Sequence, residues 1–507
     1  MSVTNDADAK KLAELGYKQE FDRKWSGFNN FAISFSIISI LSGCFTTFGQ
    51  AWNNGGPFAI SVGWPIIATL ILIIGLCMSE LVSAMPTAGG IYYWALRLGK
   101  PIHGWLTGWL NLMGLIAVTA GVDFGLALFL QAAGANYWKW FNTSNLKQAF
   151  LFLLIIVFLH VLMNVYGAKI IHQFQSVNVW WHVGGVSAII LIFILAPSHH
   201  QSVSWVFSHH INNSGFFEGH GRYYYLILPI GFLLTQYTLT GFDASAHVSE
   251  ETGGASTEAA KGIWKSIAYS GVAGWVLLLA MLFASTNEAG ISKGGGSSGA
   301  VIVTALGLGI WAKLVFIISV VGQFLCGMSC VTAASRMLFA FSRDRAVPGH
   351  KMWTKLDKNR NPSNAAIAIA VAAVIISLPG LYAPKGAPGF PVAFFAVTSI
   401  SVIGLFLAFG IPIYLRWRQG DKFVQGEWNL GKKWKWMAPI AVLEIAVMTI
   451  YFMLPTTPAG VPFKKTFLWT SLNYTPVAVV IIIGGALIWW FAGANKHFKG
   501  PVRTIDL

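Results

Sequence analysis

Charged side chains are scarce in this sequence. Asp, Glu, Lys and Arg make up 10% of the 507 residues, and hydrophobic residues make up 55%. Soluble domains carry about 25% charged residues, so this composition excludes a soluble globular chain. It predicts a membrane protein with many spans, which has membrane lipid around it.

Acidic residues are fewer than basic residues. The chain contains 19 Asp and Glu and 34 Lys and Arg, so the net charge is +15. Such an excess can indicate nucleic-acid binding. Cytoplasmic loops of membrane proteins also accumulate Lys and Arg, and this is the interpretation that the composition favours. We therefore predict no nucleic-acid partner.

The sequence also lacks the patterns of enzymes and metal sites. It contains no phosphate-binding GxxxxGK[ST] loop, which argues against a process driven directly by ATP hydrolysis. It also contains no nucleophile and base at the spacing of a known enzyme family. The cysteines lie in apolar segments without ligand spacing: Cys44, Cys77, Cys326 and Cys330. Five histidines in 197–224 favour a solvated loop over a metal site. We expect no enzyme activity, cofactor or metal.

Twelve segments reach the roughly 20 apolar residues that a membrane span needs. They lie at about 28–50, 57–79, 104–133, 148–166, 177–196, 225–247, 264–285, 311–340, 365–380, 391–415, 437–455 and 475–492. Segment 297–309 is apolar but short, and we expect a helix in an outer loop there. The first 27 residues are polar and lack the features of a signal peptide.

Basic residues set the predicted orientation. Most of them fall in the tails and in the connections after the eighth and tenth spans when the N-terminus is placed inside. The positive-inside rule therefore predicts that both termini are cytoplasmic. A multi-pass protein of the plasma membrane is the expectation.

Two predicted spans are interrupted. The first contains Ser39–Thr47 and the sixth contains Thr238–Asp243, and each interruption combines hydroxyl side chains with a glycine. Broken helices at matching positions, five spans apart, predict inverted repeats and a substrate site near the membrane midplane. The free N–H groups of a broken helix bind a carboxylate, and its free carbonyls bind a cation or an ammonium. The alternative is that Gly43 and Gly241 serve only close helix packing.

Four stretches resemble the amino acid–polyamine–organocation transporters, and more narrowly the amino acid/choline branch that includes GABA permeases. They are 21–36 (FDRKWSGFNNFAISFS), 79–93 (SELVSAMPTAGGIYY), 241–252 (GFDASAHVSEET) and 335–348 (SRMLFAFSRDRAVP). The resemblance implies an all-α membrane protein with a five-plus-five inverted repeat and two further helices. The implied units are tails 1–27 and 493–507, repeats 28–196 and 225–415, and a final pair 437–492.

The resemblance also implies a site between the first and sixth spans. Ser42, Gly43 and Cys44 would contact the substrate carboxylate, while Thr238, Leu239 and Thr240 would offer carbonyls to its amine. Cys44 departs from the small Gly or Ala expected in α-amino-acid permeases. Around the second break lie Gly241, two aromatic residues that could act as gates, Tyr237 and Phe242, and Asp243.

Asp243 has two open interpretations. It could pair with a substrate amine or hold a proton, or it could cap the free N–H groups of the half-helix that follows. Four further residues are candidates for coupling to an ion. His182 and Asp123 could relay protons, and Ser329 and Thr332 could ligate sodium. Each of the four could instead serve a structural hydrogen bond.

Charged residues at the cytoplasmic ends of the spans predict an inner gate, with snorkelling side chains as the alternative. The expected members are Glu80, Glu250, Glu251, Arg336 and Arg343, with Asp344 and Arg345 beside them. We predict a secondary transporter that imports an amino acid or related amine, with a GABA-like zwitterion and proton coupling favoured. Alternatives are a choline or polyamine carrier, an amino acid exchanger, and a sensor that binds without transport.

Overall fold

A computed structural model describes residues 2–166, 171–217, 219, 221–382, 392–502 and 504. Across these ranges the chain is helical and contains no strand, and Trp25 and Thr252 form an isolated bridge. The predicted all-α membrane class is confirmed. The described residues contain 10 helices that are long and apolar enough to cross a membrane.

These 10 helices correspond to ten of the twelve predicted spans, namely the second to fifth and the seventh to twelfth. Their bounds are Gly63–Ala84, Pro101–Ala135, Leu146–Tyr166, Ile171–Leu195, Ala255–Phe283, Ile310–Arg343, Ser363–Ser377, Val392–Gln419, Trp434–Met453 and Thr475–Trp489. The predicted start of the tenth span, at position 391, lies outside the described residues. Segment 297–309 contains the predicted short helix, Ser298–Leu306.

The two remaining predicted spans, the first and the sixth, are interrupted. The first consists of Gly27–Ile37, Gly43–Thr46 and Phe48–Ser61. The sixth consists of Tyr223–Leu226, Leu228–Phe232, Leu233–Thr238, Ala244–His247 and Ser249–Glu251. Both breaks fall within the stretches where hydroxyl residues and glycine predicted them.

The second span begins later than predicted. The sequence suggested 57–79, but the helix runs over Gly63–Ala84, and residues before Ser61 complete the first span. Gly56 adopts φ 63° and ψ −151°, which kinks the chain directly before Pro57. Proline has no N–H to continue a helix, so the hydrophobic run that starts there belongs to a kinked extension of the first span.

The two tails meet on one face of the bundle, which we call the terminal face. The amide of Thr504 donates to the carbonyl of Gly16 at 3.0 Å, and the amide of Lys18 donates to Thr504 Oγ1 at 2.7 Å. We call the opposite end the distal face. The third span lies at the centre of the bundle, where it packs against the eighth, ninth and tenth.

Candidate substrate site and gates

The two broken spans touch each other at their breaks. A Cβ atom added to Gly43 would lie 2.3 Å from Thr238 Oγ1 and 2.6 Å from Thr238 Cα. One added to Gly241 would lie 2.1 Å from Ile37 Cγ2, and Gly241 has φ 96°, which favours glycine. The predicted neighbours from the first and sixth spans are therefore brought together, and packing and helix breakage both depend on these glycines.

Backbone groups remain free on both sides of this contact. Among the described residues, the amides of Ile40, Leu41 and Cys44 donate no hydrogen bond, and the carbonyls of the sixth-span break accept none: Thr238, Leu239 and Thr240. Buried backbone groups are nearly always paired. A concentration of unpaired N–H groups on one helix and unpaired carbonyls on the other therefore suits a ligand that carries both charges.

Side chains of this region are turned away from the free backbone groups or left without partners. The hydroxyls of Thr238 and Thr240 donate back to the carbonyls of Leu234 and Gln236, four residues earlier. The hydroxyl of Ser42 is buried and has no partner among the described residues. Backbone atoms, together with the hydroxyls of Ser42 and Tyr237, are thus the polar groups that this region offers.

His182 supports the break in the first span. Its Nε2 lies 2.7 Å from Ser39 Oγ, and its Nδ1 lies 3.0 Å from the carbonyl of Asn178. Ser39 Oγ also accepts from the amide of Ser42 at 3.1 Å. A neutral imidazole satisfies both contacts by donating to Asn178 and accepting from Ser39. His182 therefore lies beside the break and holds its loop.

Asp123 faces the interior of the bundle and lies beside a histidine of the fourth span. The Nδ1 atom of His160 lies 3.2 Å from Asp123 Oδ1, and both side chains are fully buried. Gly327 makes room for the pair, because a Cβ there would lie 2.0 Å from Asp123 Oδ1. His160 was missed from the sequence, although a lone histidine in an apolar span is a visible signal.

The predicted aromatic gates lie at different levels. The hydroxyl of Tyr237 is buried, finds no partner within the described ranges and lies next to Gly121. The ring of Phe242 packs against Phe406 and Phe409 of the tenth span, at centroid distances of 6.3 and 5.1 Å. Tyr237 thus lies at the site, and Phe242 lies on its side towards the terminal face.

A cavity of about 730 Å³ opens on the distal side of the breaks. Phe45 and Thr46 of the first span line it, together with residues 293–295 and 297–300. Phe45 packs on Phe129 at 5.8 Å, and Phe129 packs on Phe316 at 5.7 Å. The sequence did not predict this aromatic cluster, which lies between the cavity and the buried breaks.

Ser329 and Thr332 lie in a polar network between the fourth, fifth and eighth spans. Ser329 Oγ donates to Gln175 Oε1 at 2.9 Å, and Thr332 Oγ1 donates to Asn164 Oδ1 at 2.8 Å. The described residues contain no cluster of three His, Cys, Asp or Glu that could hold a metal ion. Both hydroxyls therefore stabilise helix packing in this conformation, with their lone pairs still able to accept.

Asp243 does not cap the half-helix Ala244–His247, since its side chain makes no capping hydrogen bond. Its Oδ2 accepts from Asn111 Nδ2 of the third span at 3.1 Å and lies 3.3 Å from His247 Nε2. Asp243, Asn111 and His247 are all fully buried. Neither partner was identified from the sequence, although His247 lies within the recognised motif.

The predicted gate charges form buried ion pairs on the terminal face. Arg343 contacts both oxygens of Glu250 at 2.8 and 3.1 Å, and Arg336 Nε donates to Glu251 Oε1 at 2.9 Å. Glu80 is also paired, but with Arg416 at 2.9 Å. We call these three pairs the gate pairs. They are buried and bonded, which snorkelling side chains would not be.

Two details of the gate differ from expectation. Arg416, which stacks on Phe423 at 4.1 Å, was not recognised as a member. Arg345 is exposed and forms no ion pair within the described residues. Arg345 has φ 61°, which turns the chain away after the eighth span.

Asp344 joins the tails to the gate. Tyr17 and Tyr92 donate their hydroxyls to Asp344 Oδ2 at 2.8 and 3.0 Å, and the amide of Val502 donates to Oδ1 at 3.0 Å. Burial raises the pKa of this carboxyl to about 6, although Arg343 and these hydrogen bonds oppose the shift. The closed terminal face therefore holds a carboxyl that is costly to ionise.

We predict that Asp344→Asn raises the melting temperature of the purified protein relative to wild type above pH 6 and leaves it unchanged near pH 4. The raised pKa means that neutral Asp344 favours the folded state at low pH, and this contribution is lost as pH rises through about 6. Asparagine stays neutral throughout. Asp421→Asn, at an exposed position, is the control. A pH-independent difference for D344N would contradict the prediction.

Comparison with known proteins identifies similar sequences over nearly the whole chain. The family model described as amino acid permease matches residues 26–486. The chain is 35% identical over 518 residues to the amino-acid permease BAT1 of Arabidopsis thaliana, covering 99% of this chain and 97% of that protein. A homolog of BAT1 from Oryza sativa is 36% identical, with 99% and 96% covered. The GABA-specific permease of Saccharomyces cerevisiae is 29% identical, with 98% and 86% covered.

Proposed function

Since the chain belongs to the amino acid permease family, we propose that it is a secondary active transporter that works by alternating access. The proposed cargo is an amino acid or related amine. The observation that carries this is the contact of two broken spans, which leaves N–H groups on the first and carbonyls on the sixth without partners in the part of the chain that the structure describes. A membrane-buried backbone tolerates such groups where a cavity or a ligand meets them.

A zwitterion such as GABA is the favoured substrate. Its carboxylate would bind at Ser42, Gly43 and Cys44, through the free amide of Cys44 and the hydroxyl of Ser42, because the amides of Ser42 and Gly43 already donate to the carbonyl of Ser39. Its amine would bind the carbonyls of Thr238, Leu239 and Thr240. The similarity to a GABA-specific permease supports this choice. A choline or polyamine carrier would use Asp123 and Asp243 as direct partners of the cation, but each of these acids already lies beside a histidine. The contacts therefore favour the zwitterion.

In the proposed orientation the terminal face is cytoplasmic and the distal cavity opens to the outside of the plasma membrane. Closed gate pairs with an open distal cavity correspond to the outward-facing state. The two repeats, 28–196 and 225–415, would exchange conformations as the site closes to the outside and opens to the cytoplasm. Exchange of amino acids and substrate sensing without transport are the competing functions.

Coupling to a proton is favoured over coupling to sodium. His182 and Asp123 are the proton candidates from the sequence, and both are buried beside the site. Ser329 and Thr332 are the sodium candidates, and their hydroxyls already donate to Gln175 and Asn164. Sodium takes several oxygens, so these two would need further ligands from other residues.

Uptake into proteoliposomes tests the proposed function. The probes are labelled amino acids, GABA, choline and putrescine, with proton and sodium gradients imposed separately. We expect accumulation of a zwitterion driven by an inward proton gradient. Binding without accumulation under any gradient would indicate a sensor, and exchange without net uptake would indicate an exchanger. Accumulation of choline alone would overturn the substrate assignment.

A further inference from the structure

His247 has an acceptor at each of its ring nitrogens. Nδ1 lies 3.1 Å from the carbonyl oxygen of Ala88, and Nε2 lies 3.3 Å from Asp243 Oδ2. A neutral imidazole carries one N–H and can satisfy one of the two contacts. We propose that the Asp243–His247 pair binds the coupling proton of the transporter while the gate on the terminal face is closed. This proposal rests on the proposed function.

With this proton in place, the pair is an imidazolium beside a carboxylate, and both ring nitrogens donate. Asp243 also accepts from Asn111, which keeps the carboxylate oriented towards His247. Without the proton the pair would carry one negative charge. One ring nitrogen of His247 would then have no N–H, and its lone pair would face the lone pair of the neighbouring oxygen. A buried charge needs a partner, so the paired, net-neutral form fits this fully buried position.

The surrounding elements offer few competing charges. The other titratable or charged groups on the described elements packed around the pair are Tyr92, Tyr93, Arg97, His103, Asp123, Glu250, Glu251, Glu258, Lys261, Lys265, Tyr269, Lys313, Cys326, Cys330, Arg336 and Arg343. Tyr93 donates to the carbonyl of Leu15, Cys326 donates to the carbonyl of Ile37, and Asp123 is paired with His160. His103 accepts from the amide of Lys100, Lys313 lies over the ring of Tyr137, and Tyr269 is exposed. Cys330 is near enough to Asp243 to interact with it electrostatically. Glu250 and Glu251 are paired with arginines, Glu258 with Lys261, and Tyr92 with Asp344. Arg97 is exposed and Lys265 lies beside Trp264.

The backbone of Ala88 connects the Asp243–His247 pair to the gate. Its amide donates to Glu250 Oε1 at 2.9 Å, and Glu250 is paired with Arg343. Its carbonyl is the acceptor for His247 Nδ1. The protonated pair therefore holds the carbonyl of Ala88, and the gate pair holds its amide. Together they fix the segment 85–90 between the second span and the short helix Gly90–Leu98.

Loss of the proton releases Ala88. A hydrogen bond to a carboxylate is stronger than one to a peptide carbonyl, so the single remaining N–H stays on Asp243. The proton leaves to the terminal face, the contact with Ala88 is lost, and the gate is weakened. Substrate release and proton release would then occur from the same open state, which is the coupling that a symporter needs.

The test compares His247→Gln with wild type and with His497→Gln, which lies at an exposed position. We expect H247Q to lose accumulation driven by the proton gradient, by about tenfold or more, and to retain exchange of labelled for unlabelled substrate. H497Q should behave like wild type. If H247Q accumulates substrate like wild type, the inference is wrong and the proposed function stands.

Nitrogen-15 NMR of labelled histidine in the purified carrier provides a readout that does not depend on transport. The His247 signal is identified by its loss in H247Q, and we expect the doubly protonated ring at pH 7. A neutral ring at that pH overturns the inference, whereas failed transport by wild type with a protonated His247 overturns the proposed function and leaves a proton site without a coupling role. If H247Q does not fold, Asp243→Asn replaces it, and a neutral His247 ring is expected in that variant.

Discussion

Replacement of Gly43 by alanine is expected to reduce substrate uptake by about a hundredfold, because a misplacement of roughly 1 Å at a reacting or binding centre has effects of that size. The new Cβ would lie 2.3 Å from Thr238 Oγ1 and 2.6 Å from Thr238 Cα. The Cα belongs to the backbone, so the clash can be relieved only if the two breaks separate. Separation moves the free N–H groups away from the free carbonyls.

The measurement is initial uptake in proteoliposomes, with substrate affinity and melting temperature recorded on the same preparation. Gly484→Ala is the matched control, since a Cβ at this glycine of the twelfth span meets nothing within 4 Å. The double variant Gly43→Ala/Thr238→Ala should not recover uptake, because the contact with the Thr238 Cα remains. Full activity of G43A would show that the two breaks do not bind substrate together.

The sequence was sufficient to predict the breaks because each is encoded locally. Glycine beside hydroxyl residues interrupts a hydrophobic run, and Gly241 takes the positive φ that other residues avoid. The position of the kink at Gly56 was harder to predict. The residues directly before it, Asn53, Asn54 and Gly55, are polar or small, so hydropathy indicated a loop between two spans where the first span continues through a kink to Ser61.

The partners of buried polar groups could not be predicted, since they come from distant parts of the chain. Asp243 meets Asn111, and Asp123 meets His160, across helix pairs that no local pattern specifies. Glu444 is similar, since it is buried and bonded to Gln236 of the sixth span. Charge alone identifies such residues, while packing decides which groups they contact.

The gate shows both what could be predicted from the sequence and what could not. The sequence predicted which acids and arginines gather on one face, because the positive-inside pattern and the span ends place them there. It did not predict that Glu80 pairs with Arg416, which lies far along the chain. It also did not predict that Tyr17 of the N-terminal tail stacks on Arg343 at 3.9 Å.

Replacement of Arg343 by methionine is expected to open the terminal face. Removing one partner of a buried ion pair costs about 3–5 kcal/mol, because the other charge is left without compensation. Here the orphaned charge would be Glu250, which is 1% exposed and would keep only the amide of Ala88 as a close partner. The closed conformation bears this cost, whereas an open gate exposes Glu250 to water, so the equilibrium shifts towards the open gate.

The shift can be measured at Cys330, which is fully buried in the closed conformation. Its alkylation by a water-soluble reagent, followed by mass spectrometry of that peptide, should be about a hundredfold faster in R343M than in wild type, since about 3 kcal/mol corresponds to a factor of this size. Arg418→Met is the control, because Arg418 is exposed and forms no ion pair among the described residues.

The double variant Glu250→Gln/Arg343→Met separates charge from packing. It removes the orphaned carboxylate and keeps similar side-chain volumes, so alkylation of Cys330 should slow again towards the wild-type rate. If R343M and the double variant react equally fast, the stacking of Arg343 on Tyr17 closes the gate rather than the ion pair. If neither reacts faster than wild type, Glu250 and Arg343 do not control access from this face.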